Sequence, residues 1–211
     1  MRPFSQLPLQ QVYPVQTGIS RMGFPTYGPL PGGVQNPPNA WQEAAELDEV
    51  RRRQAHALAT PGGVQFTASL VELGGSKMWT EFAHQYRQQV GFLRGWVGTG
   101  LMLGAMGVTS FQSKLAKHGY DRLHPFEVDR SIRIVGPVPH DSAYPSERTG
   151  TAYAAASVLG QLWPARAYEF NWWARQTALA GVASGTQFPS DVQVGARIGT
   201  AAGLRTASIL W

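Results

Sequence analysis

Apolar residues recur at helical spacing in one segment after another of this chain, and no stretch alternates polar and apolar residues over several strands. In the first such segment the residues expected on one helix face are Trp41, Leu47, Val50, Gln54 and Leu58. Asn39, just ahead of that segment, is a typical helix N-cap. The sequence therefore predicts an all-α fold, a bundle of packed helices.

Glycine and proline divide the chain into an arm and a helical domain. Residues 1–38 are rich in Pro, Gly and Gln without periodicity, which predicts an extended arm, whereas residues 39–211 form the single helical domain. A long loop with one strand-like piece, Ile132–Val135, is expected over 118–145. Glycines at Gly100-x-x-x-Gly104 predict close packing of one helix. The predicted helices are 40–58, 64–73, 76–88, 89–117, 149–162, 164–183 and 190–210.

Charge is sparse and favours no polyanionic partner. The chain has 18 Lys+Arg against 13 Asp+Glu, a net charge of +5, and only 15% charged residues. Its one dense basic run, Arg51–Arg53, follows acidic residues of the same predicted helix, as helix dipoles favour. Aromatic residues do not alternate with basic ones as in single-strand binding grooves. We therefore expect no nucleic-acid partner.

The chain contains no cysteine, which excludes disulfides, thiolate metal sites and a cysteine nucleophile. No histidines stand at metal-ligand spacing, so neither a metal nor a cofactor is expected. No secretory signal is visible, and the longest uncharged apolar stretch, Gly95–Phe111, is shorter than a spanning helix needs. We expect a soluble, cytoplasmic protein without a membrane span, secreted only if a leader was removed.

Three separated segments share cations, a serine and a carboxylate in a fixed order. Residues 117–126 read KHGYDRLHPF, residues 144–149 read YPSERT, and residues 181–191 read GVASGTQFPSD. Their order, spacing and proline contexts resemble the signature of the type-2 phosphatidic acid phosphatases. That superfamily includes soluble bacterial acid phosphatases and vanadium-dependent haloperoxidases. The resemblance implies a helical bundle whose three segments converge on an anion pocket.

In that superfamily a lysine and two arginines bind phosphate or vanadate, one histidine attacks phosphorus, and a second protonates the leaving oxygen. The resemblance makes Lys117 the lysine, Ser146 a hydroxyl donor at a helix start, and Asp191 the carboxylate that orients the nucleophile. It places His124 and Gly181 at the two arginine positions.

The reacting groups themselves differ from the pattern. Gln187 falls at the nucleophilic histidine, Arg148 at the proton donor, and Glu147 at a glycine. An amide is not a useful nucleophile, and a guanidinium stays protonated near neutral pH. Glu147 also puts a negative charge where the phosphate would bind. Such a like charge at roughly 4 Å, with an effective dielectric constant of about 20, costs about 4 kcal/mol. The sequence therefore predicts that the phosphoryl-transfer nucleophile and acid have been lost.

The residues that remain leave three functions open. A histidine beside a carboxylate can act as a general base, and a nearby cation can stabilise an oxyanion. The first hypothesis is therefore a repurposed acid–base enzyme, of isomerase, cyclase or lyase type, acting on a small uncharged or mildly anionic substrate. The alternative is a non-catalytic pseudo-enzyme that serves as a binding or assembly subunit. The third is a residual phosphatase.

The candidate site and partners follow from these hypotheses. A small-molecule ligand or substrate is expected, a homodimer is possible, and the arm of residues 1–38 is expected to contact the domain or a partner chain. The predicted catalytic residues are His124, Glu147, Arg148 and Asp191, and the predicted substrate-binding residues are Lys117, Ser146, Gln187 and Arg122.

Overall fold

The fold is a set of packed helices joined by turns and one long loop. The computed structural model describes residues 36–210, so nearly all of the predicted arm lies outside the described residues. Short 3₁₀ turns precede α7 and follow α8, and no strand occurs within residues 36–210, which confirms the all-α prediction. The helices are α1 (Ala40–Ala59), α2 (Gly63–Leu73), α3 (Lys77–Val90), α4 (Phe92–Lys117), α5 (Pro125–Val128), α6 (Glu147–Leu162), α7 (Ala167–Ala183) and α8 (Pro189–Ala207).

Local signals fix the helix starts. The Asn39 side chain accepts a hydrogen bond from the Gln42 backbone N–H at 3.1 Å, and the Gln42 side chain accepts one from the Asn39 N–H at 3.3 Å, so the predicted cap is confirmed. Pro189 occupies the first turn of α8, where its fixed φ angle suits the helix and its missing N–H costs no hydrogen bond. α6 begins earlier than predicted because Ser146 caps it, accepting from the Thr149 N–H.

The strand-like piece Ile132–Val135 is a loop, so that expectation is wrong. Its backbone groups find partners on helices instead of on another strand. The Arg133 N–H donates to the Gln54 side chain of α1 at 3.0 Å, and the Val135 N–H donates to the Ser184 carbonyl at the end of α7 at 3.0 Å. Backbone hydrogen bonds to helices can thus hold a segment rich in β-branched residues in place without a neighbouring strand.

The hydrophobic core contains a cluster of aromatic rings between α3 and α7. Phe82 packs edge-to-face on Phe170, with ring centroids 5.3 Å apart, and Trp79 lies 5.7 Å from Phe82. Trp79, Phe170 and Trp173 are almost completely buried. Burial of such large side chains supplies a major part of the hydrophobic stabilisation and holds α7 in place.

Helices α6 and α8 approach each other more closely than side chains would allow. A Cβ atom at Gly195, Gly199 or Gly203 would lie closer than 3 Å to the carbonyl oxygen of Ser146, Gly150 or Ala154, respectively. The contacts advance in the same direction along both helices, so α6 and α8 run parallel. Their N-termini therefore lie at the same end of the bundle, together with the second motif and the end of the third.

The glycines of α4 behave differently from the prediction. A Cβ atom at Gly100 or Gly104 would meet nothing within 4 Å, and both residues are exposed, so the expected close packing at Gly100-x-x-x-Gly104 is wrong. Gly95 and Gly98 of the same helix do pack closely, against Arg87 and Tyr86. Within residues 36–210 no helix combines the length and apolar character needed to cross a membrane.

We predict that Gly199→Ala destabilises the fold by about 1–3 kcal/mol, because the new methyl group would collide with the α6 backbone at Gly150. Gly100→Ala is the matched control, since its methyl group would meet open space and alanine favours helix by up to about 1 kcal/mol. Urea unfolding measures both. Equal stability of the two variants would contradict the close α6–α8 contact.

Candidate functional site

A cavity of about 520 Å³ lies at the N-terminal end of α6, beside the C-terminal third of α4. The α2–α3 turn and the segments ahead of α6 and α8 complete its wall. Both α6 and α8 therefore direct their N-terminal ends toward this part of the molecule, where backbone N–H groups favour negative charge. The lining residues used below are Gly75, Met106, Ser110, Lys117, Val138, Asp141, Ser146, Glu147, Arg148, Thr151, Thr186 and Gln187.

Arg148 is the cation of this cavity for which residues 36–210 provide no ion-pair partner. Within residues 36–210 no carboxylate oxygen lies within 4 Å of its guanidinium and no hydrogen bond reaches it, although Asp141 and Glu147 act on it at longer range. Burial lowers the pKa of Arg148 from its ordinary value, because desolvation disfavours the charged form. Gly75 leaves room for its side chain, since a Cβ atom there would press on the Arg148 Cγ atom.

Lys117 is held against the cavity wall by neighbouring oxygens. Its ammonium group donates to a carboxylate oxygen of Asp141 at 2.8 Å and to the Ser142 carbonyl at 2.5 Å. Lys117 is mostly buried, and Asp141 is exposed at the edge of the cavity. The negative charge of Asp141 neutralises the positive charge of the lysine. The Lys117–Asp141 pair therefore contributes little net charge to the cavity.

Glu147 is also engaged. Its Oε1 atom accepts a hydrogen bond from the Ser110 hydroxyl at 2.5 Å and lies 3.6 Å from the Lys114 ammonium. Both partners belong to α4, so they hold the carboxylate against that helix. The Glu147 carboxylate is therefore largely balanced, and among the described residues of the cavity wall Arg148 is the charge without an ion-pair partner.

The remaining motif residues of the cavity wall are polar but neutral. The Ser146 hydroxyl donates to the Thr149 hydroxyl at 3.0 Å and caps α6. Gln187 donates through Nε2 to the Thr186 carbonyl at 2.8 Å, and its Oε1 atom is buried without a hydrogen-bond partner among the described residues. A buried acceptor left without a donor costs free energy, which a donor from a ligand or water would recover.

His124 lies behind the cavity wall and is only 2% exposed. Its Nδ1 atom lies 2.5 Å from the Thr186 carbonyl oxygen and its Nε2 atom 2.7 Å from the Asp141 carbonyl oxygen. Both ring nitrogens therefore contact backbone carbonyl oxygens, and the imidazole is not part of the cavity lining.

Arg122 and Asp191 form a separate buried cluster with α1. The Arg122 guanidinium contacts the Asp191 carboxylate at 2.5 Å and the Glu46 carboxylate at 2.9 Å, and it lies 4.0 Å over the Phe188 ring. Glu46 also accepts from the backbone N–H of Ser190 at 2.8 Å. These contacts tie α1 and the long loop to the start of α8, and neither Arg122 nor Asp191 lines the cavity.

The Arg122 guanidinium contacts more than one carboxyl group in this cluster. Asp191 is completely buried, and desolvation raises its pKa to about 7, although Arg122 and the Phe188 N–H favour the charged form. Glu46 adds to the increase by repulsion. Asp191 thus orients no group of the cavity: it accepts from the Phe188 N–H at 2.7 Å and holds the start of α8.

The structure divides the predicted site residues into two groups. Ser110, Asp141 and Thr151 also line the cavity, and the motif comparison missed them because they lie outside or between the motifs. Ser110 lies about two helical turns ahead of Lys117 on the same face of α4. This spacing is the sequence signal that could have identified Ser110 as a cavity residue. The predicted residues that line the cavity are Lys117, Ser146, Glu147, Arg148 and Gln187, and those that do not are Arg122, His124 and Asp191.

We predict that Asp191→Asn flattens the pH dependence of stability. From about pH 4 to about pH 7 the folded state keeps a proton on Asp191 that the unfolded state has released. The stability due to this group is therefore complete below about pH 4 and is lost as the pH rises through about 7. Urea unfolding across this range should show a shallower decline in the variant than in the wild type.

The control for this experiment is Asp48→Asn, which removes an exposed carboxylate of α1 paired with Arg51. This control should keep the wild-type slope, because surface ion pairs contribute little. The same slope in Asp191→Asn and in the wild type would show that Asp191 is ionised throughout the range.

Two solved structures have a fold similar to that of this chain. A transmembrane PAP2-type phosphatidylglycerolphosphate phosphatase from Bacillus subtilis superposes with a TM-score of 0.61 at 15% identity, over 81% of this chain and 87% of that one. LpxE from Aquifex aeolicus superposes with a TM-score of 0.64 at 19% identity, over 77% of this chain and 94% of that one. At these identities the likeness shows the fold alone. No curated protein sequence matches the chain.

The family comparison rests on the sequence itself. The model of the PAP2 superfamily matches residues 98–211, which is more than half of the chain. The matched region runs from α4 through α8 and contains all three motifs, which surround the cavity and the buried cluster behind it. The chain therefore belongs to the PAP2 superfamily.

Proposed function

We propose that this PAP2 protein binds a small organic monoanion, such as a carboxylate, in the cavity and does not transfer phosphoryl groups. One observation carries the proposal: the half-buried guanidinium of Arg148 faces the cavity without a carboxylate within 4 Å among the described residues. A partly desolvated cation without a partner is unfavourable, and a bound anion would offset that cost.

The charge balance of the wall favours a ligand with a single negative charge. Lys117 is neutralised by Asp141, and Glu147 is balanced by Ser110 and Lys114. A phosphate dianion would lie near the acidic groups Asp141 and Glu147, and among the described residues of the wall only Arg148 is a cation without an ion-pair partner. A carboxylate needs only that one cation and can accept two parallel hydrogen bonds from a guanidinium.

The remaining lining suits an organic body attached to such an anion. Met106 and Val138 supply apolar surface, while the hydroxyls of Ser110 and Thr151 supply polar contacts. A volume of about 520 Å³ is in the range of cavities that enclose small ligands. The cavity thus combines one charged anchor with mixed walls.

The absence of histidine from the described cavity lining argues against phosphoryl transfer. Gln187 stands where the superfamily's signature has its nucleophilic histidine, and its amide cannot form a phosphoryl-enzyme. Arg148 stands at the proton-donor position and remains protonated. The hydroxyl of Ser146 caps α6, and no described group positions it as a nucleophile.

The acid–base enzyme hypothesis receives less support from the geometry. It needs a histidine open to the cavity, and the ring of His124 is buried between two backbone carbonyls. Glu147 does face the cavity, but its Oε1 atom is bonded to the Ser110 hydroxyl. Ligand binding without chemistry therefore fits the described contacts better than proton transfer does.

We predict that small carboxylates raise the melting temperature of the wild-type protein and that the matching neutral amides do not. The carboxylate would pair with Arg148, whereas an amide offers no charge. In Arg148→Met the response to carboxylates should be lost, because methionine keeps much of the length of the side chain without its charge. Thermal denaturation against a panel of acid–amide pairs, such as benzoate and benzamide, measures this effect.

Arg130→Gln provides the matched control, since it removes an exposed arginine outside the cavity. It should leave the response to carboxylates unchanged. The proposal fails if acids and amides act alike, or if Arg148→Met responds as the wild type does.

We predict no turnover of p-nitrophenyl phosphate above the uncatalysed rate, because the described cavity wall holds no imidazole to attack phosphorus or to protonate the leaving group. Release of p-nitrophenol by the purified chain is the measurement. Turnover that disappears in Lys117→Ala or Ser146→Ala would restore the residual-phosphatase hypothesis and overturn this part of the proposal.

A further inference from the structure

One side of α4 presents an apolar surface that no described element covers. From residue 95 to residue 113 the helix contains no charged residue, and three glycines on this side have open space around them. Phe111 is 69% exposed and Trp96 is 55% exposed. Contiguous exposed apolar surface of this kind marks an interaction site. The α4 surface, as we call it, consists of Leu93, Trp96, Leu103, Val108, Phe111 and Leu115.

A groove between α4 and α8 continues the α4 surface. It encloses about 690 Å³ and is bounded by Val108 and Leu115 on one side and by Ile198 and Ala202 on the other. Its lining is mainly apolar, with Arg205 at its α8 side. A chain segment lying in this groove would also cover the neighbouring part of the α4 surface.

The described chain begins beside this groove. The side-chain oxygen of Asn36 accepts a hydrogen bond from the Tyr120 hydroxyl at 3.0 Å, and Tyr120 lines the groove. Tyr120 in turn packs edge-to-face on Tyr144, with centroids 5.3 Å apart, in a small apolar cluster with Ile198. Residues 1–35 therefore join the domain at the groove itself.

The composition of residues 1–35 complements an apolar surface. They include two charged residues, Arg2 and Arg21, together with six prolines and thirteen large aliphatic or aromatic side chains. Proline restricts helix formation, so such a segment covers its apolar side chains best by lying extended on another surface. At roughly 3.3 Å per residue, 35 residues can span about 115 Å, whereas α4 is about 39 Å long. Their length is therefore more than sufficient.

We propose that residues 1–35 dock in the groove between α4 and α8 and along the α4 surface of their own chain. This docking covers the exposed aromatic and aliphatic side chains of α4 and leaves the Arg148 cavity open. It is independent of the ligand proposed for that cavity, because the two sites share no residue that either argument uses.

Photo-cross-linking of the full chain tests the proposal. A benzoylphenylalanine in place of Phe111 should, on illumination, form cross-links to residues 1–35 in a product of monomer mass, mapped by peptide mass spectrometry. The same group in place of Tyr168, an equally aromatic and 75% exposed residue of α7, should give no cross-link to that segment. Adding Val108→Asp to the Phe111 variant should abolish the cross-link, because a charge would enter the covered groove.

Each other outcome overturns the proposal. A cross-linked dimer, identified with mixed ¹⁴N- and ¹⁵N-labelled protein, would show that a second copy covers the α4 surface. The absence of any protein cross-link at Phe111, or cross-links to residues 1–35 of equal yield from Tyr168, would show that the segment does not dock there.

Discussion

The backbone contact between α6 and α8 is the constraint on which the site depends. Because glycine occupies positions 195, 199 and 203, the two parallel helices approach until backbone meets backbone. Their N-terminal ends then lie side by side, and the Ser146 N–H donates to the Asp191 carbonyl at 3.0 Å. This bond joins the second and third motifs directly. A side chain at the crossing would separate the helices and with them the two motifs.

Electrostatics divides the site into a sealed part and an open part. In the sealed part the Arg122 guanidinium contacts the carboxyl groups of Asp191 and Glu46, and these contacts hold α1 and the long loop on α8. In the open part Arg148 has room in the cavity and no ion-pair partner among the described residues. A charge that is ion-paired inside the protein holds neighbouring elements together, whereas a charge without a partner can bind a ligand of opposite charge. The open part of the site is therefore where a bound anion would contact the protein.

Much of the fold could be predicted because helix signals are local: Asn39 and Pro189 mark helix starts through capping and a fixed φ angle. The glycine pattern misled at Gly100 and Gly104, since spacing alone does not say which face of a helix meets a partner. Five of the residues predicted from the motif resemblance line one cavity in the structure. It could not show that His124 turns toward two carbonyls, because that depends on where the long loop folds back.

A structure determined with bound benzoate tests the central claim most directly. We expect the carboxylate within about 3 Å of the Arg148 guanidinium, in paired hydrogen bonds, with the ring against Met106 and Val138. We also expect that Lys117 stays on Asp141 and Glu147 on Ser110. An Arg148 side chain paired with Asp141 or Glu147 across a cavity without benzoate would contradict the account.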